Sequence, residues 1–191
     1  MDRGAEACSD LQFTKEGWYG FQFYLPSPGF PADKTQTIAQ IFVMGGCSSW
    51  ASMLEVRNNE LWIVHRGNCV ATPEYQAMLA ADIPRNAWNP IVLHFVASSQ
   101  NAGGVEVWFG DAVCAPDVPT YRKLGINFAF GTWVNDALVA DPANTIGLKF
   151  GMYNFDDANY TTDETRTIYY DNISQLAGNP SGAWTTVNPT Q

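Results

Sequence analysis

Apolar and polar side chains alternate with a period of two along most of this chain, in short runs closed by Gly, Pro or Asn pairs. Successive side chains of a strand point to opposite faces, so this pattern specifies half-buried β-strands and little else. Trp18 to Leu25 sets Tyr19, Phe21, Phe23 and Leu25 against Trp18, Gly20, Gln22 and Tyr24, and Pro26-Ser27-Pro28-Gly29 stops the run. Ile146 to Phe155 sets Leu148, Phe150 and Met152 against Lys149, Gly151 and Tyr153. No long amphipathic helix competes with these runs. The expectation is an all-β chain: a two-sheet antiparallel β-jelly roll, a concanavalin-like sandwich.

Further strands are expected over 2–14 near an edge, over Thr37 to Met44, and in a hairpin of Ser52–Arg57 and Glu60–Arg66 turning at Asn58-Asn59. Others cover Ile91 to Ala97, Val105 to Phe109 and Thr165 to Leu176. Residues 73–81 read equally as a short helix or an irregular loop. The stretch from Cys114 to Asn144 lacks periodicity, and so long a connection inside a compact domain points to function. With 191 residues and 46% hydrophobic content, and no break in composition, residues 1–191 read as a single domain.

The formal net charge of -9 disfavours nucleic acid and anionic membranes as partners, and no apolar run approaches the ~20 residues that span a bilayer. Cys8, Cys47, Cys69 and Cys114 form no CxxC pair and have no His at metal-ligand spacing, so two disulfides are expected rather than zinc. An even cysteine count, with sequons at Asn159 and Asn172, points to a secreted, extracellular protein. Met1 is followed at once by polar residues, as in a mature chain from which a leader has been removed. A monomer is expected.

No HExxH, GxxxxGK[ST] or GxSxG motif occurs, and Glu55, Glu60 and Glu106 cannot be paired for glycoside hydrolysis by spacing alone. The chemistry-bearing side chains that remain on strand faces are Gln40, Arg57, His65, Arg66, His94, Lys149 and Tyr153. Five segments then carry a resemblance: 18–26 (WYGFQFYLP), 38–42 (IAQIF), 88–95 (WNPIVLHF), 149–153 (KFGMY) and 169–173 (YYDNI). In this order they resemble the jelly-roll polysaccharide lyases, in particular the fungal glucuronan lyases of polysaccharide lyase family 20, with heparin lyase I and the alginate lyases as relatives.

That resemblance implies an endo-acting lyase that cleaves β-1,4-glucuronan, an anionic polyuronate, by β-elimination. Gln40 falls where alginate lyases have a Gln-Ile-His triplet, with Phe42 in place of the His, a departure that argues against alginate. Lys149 and Tyr153 fall on the lysine and the catalytic tyrosine of a Phe-Lys-Ala-Gly-x-Tyr-Asn motif. The implied catalytic set is Tyr153, Gln40, His94 and Lys149, with His65, Arg57 and Arg66 binding substrate. Tyr153 would act as base and acid, with Lys149 beside it to favour the phenolate. For each histidine the plain alternative is a hydrogen-bonded residue in or under the sheet, and for each arginine a solvated surface charge. Arg3 and Glu6 are one residue too far apart for the Arg-x-Glu motif of related lyases and carry no role here. The resemblance implies no cofactor for catalysis and a structural calcium on the convex side, where Asp171 is either a ligand or an ordinary ladder aspartate. The other readings are an alginate or other polyuronate lyase, and a non-catalytic carbohydrate-binding module using Trp50, Trp62, Trp108 and Trp133.

Overall fold

The computed structural model describes residues 5–8, 15–43, 49–67, 73–127, 133–139, 146–153 and 164–191. Strands β1 (Ala5–Cys8), β2 (Glu16–Tyr24), β3 (Thr35–Val43), β4 (Ser49–Arg57), β5 (Glu60–His65), β6 (Tyr75–Ala80), β7 (Trp88–Val96), β8 (Gly103–Phe109), β9 (Tyr121–Ile126), β12 (Ile146–Tyr153) and β13 (Tyr169–Ala177) form two antiparallel sheets. The first has the order β1-β12-β3-β4-β5-β6, the second β13-β2-β7-β8-β9. A two-stranded ribbon, β10 (Trp133–Val134) with β11 (Ala137–Leu138), stands apart. The fold is the jelly-roll sandwich that the alternation predicts.

The core lies between the sheets and follows the period of two: Tyr19, Phe21 and Phe23 from β2, Leu61 and Ile63 from β5, and Ile91, Leu93 and Phe95 from β7 are buried there. Their partners on alternate positions leave the sandwich. On the outer side of the second sheet, Trp18, Val92 and Trp108 form a smaller cluster capped by helix α1 (Ala183–Val187). Gly20 permits that capping, since a Cβ there would sit 1.7 Å from the Val187 carbonyl oxygen.

Two neighbouring β-bulges shape the first sheet. The register of β3 against β4 slips between Thr37 and Ala39, and that of β12 against β3 slips between Phe150 and Tyr153. The first bulge sends Ile38 into the core while Gln40 stays on the outward face, which separates two residues that simple alternation puts together. Tyr170 reaches across the sandwich to both irregularities: its hydroxyl donates to the Ile38 carbonyl (2.6 Å) and accepts from the Gly151 amide (3.2 Å).

Several expectations change. Residues 75–80 are a strand, neither helix nor loop, because β6 completes the edge of the first sheet against β5. Part of the aperiodic stretch 114–144 is strand β9 and the β10-β11 ribbon. Cys8 and Cys114 are free and exposed, so two disulfides do not form among four cysteines. Cys47 and Cys69, like Arg3 and Asn159, lie outside the described residues.

Candidate active site

The outward face of the first sheet is built from alternate positions of β12, β3, β4 and β5. Lys149 of β12 pairs with Gln40 of β3, which pairs with Met53 of β4. One step along, Tyr153 pairs with Thr37, which pairs with Glu55, which pairs with Trp62. A cleft of about 450 Å³ opens over this second row, lined by Thr35, Trp50, Met53, Glu55, Arg57, Pro73 and Tyr153. Tyr153 thus faces the cleft, not the core.

Backbone contacts hold Tyr153 in place. Gln36, buried beneath the sheet, donates its amide to the Tyr153 carbonyl at 2.7 Å and accepts from the Arg166 guanidinium at 2.9 Å. The Tyr153 hydroxyl makes no hydrogen bond among the described residues.

Arg57 is fixed by its neighbours. Its Nε and Nη2 contact Glu55 Oε2 at 2.7 and 2.6 Å, its Nη1 donates to Gln76, and its guanidinium lies 5.1 Å from the centroid of the Trp62 ring. A guanidinium held by a carboxylate and an aromatic face keeps its remaining N–H groups in a set direction. Arg66 is only 6% exposed, donates to the Trp50 carbonyl at 2.9 Å, and stacks 3.8 Å from the Trp50 ring centroid. Burial lowers its pKa from the usual guanidinium value. The cleft therefore has a phenol, a locked guanidinium, a buried carboxylate and a tryptophan, with Trp62 behind the guanidinium.

Gln40 shares the face but is covered, at 4% exposed, and donates from Nε2 to Glu6 Oε1 at 2.5 Å. Glu6 on β1 pairs with Gly151, so β12 brings the first strand against the site. In the sequence Glu6 is not legible as a site residue, since its spacing from Arg3 is one residue too long for the motif of related lyases. Glu55 is visible in the sequence only as a strand carboxylate with no partner, although its outward phase between Leu54 and Val56 places it on the site's face.

Two expected site residues, His94 and His65, lie off this face, and a third, Lys149, lies away from Tyr153. His94 lies on the outer face of the second sheet, stacked 4.0 Å from Trp18, with Nδ1 on Glu106 (2.9 Å) and Nε2 on Glu16 (2.8 Å). It is on the far side of the sandwich from Tyr153, because β7 belongs to the other sheet and the odd residues 91, 93 and 95 take its inner face. His65 is fully buried, on the inward phase with Leu61 and Ile63, and its Nε2 meets the Tyr121 hydroxyl of β9 at 2.7 Å. It braces the two sheets and does not clamp a substrate. Lys149 is on the correct face, but its Nζ lies 3.6 Å from the Phe42 ring centroid, and Phe42 pairs with Gly147, on the opposite side of Lys149 from Tyr153. Arg57 is the cation that shares a cavity with the phenol.

Asp171 faces outward on β13 opposite Gln22, and its Oδ1 accepts the amide of the next residue, Asn172. Gln22 donates to the Pro189 carbonyl, and no group of three or more His, Cys, Asp or Glu suited to a metal occurs among the described residues. No step below uses a metal. Trp108 is 2% exposed under α1, with Nε1 bonded to the Pro116 carbonyl, so it is no sugar platform. The Trp133 side chain is outside the described residues.

The model of the polysaccharide lyase family matches residues 4–174. The chain belongs to the polysaccharide lyase family. Solved structures agree on the fold of this lyase. An endo-β-1,4-glucuronan lyase from the fungus Trichoderma reesei superposes with a TM-score of 0.70 at 22% identity, covering 100% of this chain and 79% of that one. A marine alginate lyase from Aplysia kurodai gives 0.57 at 10% identity, covering 85% and 70%. An alginate lyase from Pseudomonas aeruginosa gives 0.52 at 14%, covering 85% and 64%. No curated protein sequence matches this lyase.

Proposed function

We propose that this polysaccharide lyase cuts β-1,4-linked glucuronan within the chain by β-elimination, with Tyr153 as the group that moves the proton. The observation that carries this reading is the Tyr153 phenol, without a protein partner among the described residues, facing one cleft with Arg57. A uronate in that cleft has its carboxylate within the field of a cation whose orientation Glu55 and Trp62 set. Neutralising that carboxylate makes the adjacent C5 proton removable, because the charge that develops passes into the carboxyl group.

The phenolate of Tyr153 takes the C5 proton. The C5–H electron pair becomes the C4=C5 double bond, the C4–O4 bond breaks, and O4 leaves with the proton from the same phenol. In glucuronan H5 and O4 lie on the same side of the ring, so one group serves both steps. Gln40, held by Glu6, and Arg66 belong to the same face and extend the polar surface. The fold of the fungal glucuronan lyase and the Phe42 that stands in place of a histidine both favour glucuronan over alginate. The enzyme is proposed to act outside the cell, where such polymers occur.

The test is ultraviolet absorbance of the unsaturated product during incubation with glucuronan, with alginate in parallel. Absorbance should rise on glucuronan first. Tyr153→Phe should lower kcat by at least ~100-fold while binding of the polymer persists. Near-normal turnover in that variant removes Tyr153 from the mechanism, and a faster rise on alginate reassigns the substrate.

A further inference from the structure

A second aromatic surface lies on the opposite side of the molecule from the cleft. Tyr169, Tyr24 and Trp88 occupy facing positions on the adjacent strands β13, β2 and β7, on the outer face of the second sheet. The Tyr24 ring centroid is 6.0 Å from that of Tyr169 and 5.5 Å from that of Trp88. Trp88 is 44% and Tyr169 53% exposed. The core does not need them, since the inward positions of all three strands are already filled.

The row ends where the C-terminal segment begins to cover the sheet: Gln22 and Asn172 both donate to the Pro189 carbonyl. Helix α1 covers Trp18 and Trp108 further along and leaves this end open. Among the described residues the aromatic row is therefore an uncovered strip across three strands. Adjacent strands are ~4.8 Å apart, which sets the outer positions roughly 10 Å apart. That is about the length of a disaccharide unit in an extended β-1,4-linked chain.

We infer that this strip is a second glycan-binding site, separate from the cleft, which takes a neutral β-1,4-linked polysaccharide. Tyr and Trp present rigid, amphipathic rings at low entropic cost, and the apolar C–H face of a pyranose stacks on such rings. Charge decides between a neutral and an acidic chain. The cation next to Trp88 in sequence, Arg85, is turned into the carbonyls of Pro26 and Phe30, and Arg166 upstream of Tyr169 is held by Glu164, Gln36 and the Thr35 carbonyl. The charged group that follows Tyr169 on the same face is the Asp171 carboxylate. In a chain of net charge -9, a polyuronate meets repulsion here, whereas a neutral glycan does not.

Binding is measured with the intact protein by depletion onto microcrystalline cellulose, chitin, and insoluble mannan and xylan, alongside sedimentation of the protein alone. The result expected is retention on at least one of these, reduced tenfold or more in Trp88→Ala and Tyr169→Ala and kept in Trp88→Tyr, with turnover of soluble polyuronate unchanged in all three. Failure to bind any of the four, or retention untouched by the substitutions, overturns the site. So does self-association that the Ala variants abolish, which would mean that a second copy covers the strip. Since binding is read without turnover, the result does not depend on the reaction assigned to the cleft.

Discussion

Burial, and then the Lys123 ammonium, lower the His65 pKa to about 4, from the usual value near 6.5. Between these values the unfolded chain binds a proton that the folded chain refuses, so the contribution of neutral His65 is complete above pH ~6.5 and is lost as pH falls toward 4. The difference is at most about 3 kcal/mol. His65→Gln should therefore flatten the acid limb of stability, read as the urea midpoint at successive pH values. Parallel limbs in the two proteins would assign the acid loss to other groups. Gly151 is a second position where one residue controls the site. Its φ of +124° is a conformation that side-chain-bearing residues rarely adopt, and a Cβ there would come within 2.1 Å of the Ala5 carbonyl oxygen. Gly151→Ala should cost about 1–3 kcal/mol by thermal unfolding. It should also loosen β1 and with it the Glu6 contact to Gln40, visible as lost amide protection in residues 5–8.

At the scale of elements, the paired bulges of β3 and β12 bring Tyr153 opposite Thr37, and the Tyr170 hydroxyl satisfies a backbone group of each strand. Burial pushes the Tyr170 pKa well up, so it remains a neutral donor. Tyr170→Phe keeps the ring against Phe21 and Phe150 but leaves both backbone groups without this partner. A loss of about 1–3 kcal/mol is expected, with kcat falling more than substrate affinity because Tyr153 shifts relative to the reacting carbon. Unchanged kcat in a destabilised variant would mean that the bulges serve stability alone. The β10-β11 ribbon is fastened in a similar way. Its turn residue Asp136 accepts from the Ser98 hydroxyl and the Ser99 amide and pairs with Lys15, which together push its carboxyl pKa down to about 2. Asp136→Ala should speed hydrogen exchange of the Ser99 amide at neutral pH; unchanged exchange would show that the ribbon is held by other contacts.

For the molecule as a whole, a net charge of -9 opposes a face that carries Arg57, Arg66 and Lys149. Attraction of a polyanion is then local and opposed at long range, and salt screens the long-range part first. KM for a polyuronate should change little, or fall slightly, as ionic strength rises from low to physiological values. A steep rise would indicate a larger positive surface than these residues supply. The open strip on the other sheet lies outside this balance, since a neutral chain does not respond to it.

Strand faces were legible in the sequence because alternation is a local property. Tyr19, Phe21 and Phe23 inward, Trp62 outward and Tyr153 outward all follow from the period of two. Sheet membership is not local, and that is why His94 was misplaced: its phase on β7 was correct, but nothing in a strand states which of two sheets it will join. His65 shows a second limit, for a polar residue on the inward phase reads like a site residue until a partner such as Tyr121 appears across the interface. Strand β6 escaped notice because an edge strand is set by the neighbour it pairs with, and the bulge at Ile38 is a register slip no alternation can announce. The residue types and their faces belong to the sequence. The meeting of Glu6, Gln40, Glu55, Arg57 and Tyr153 was decided by long-range pairing of strands distant in the chain, which only the folded sandwich contains.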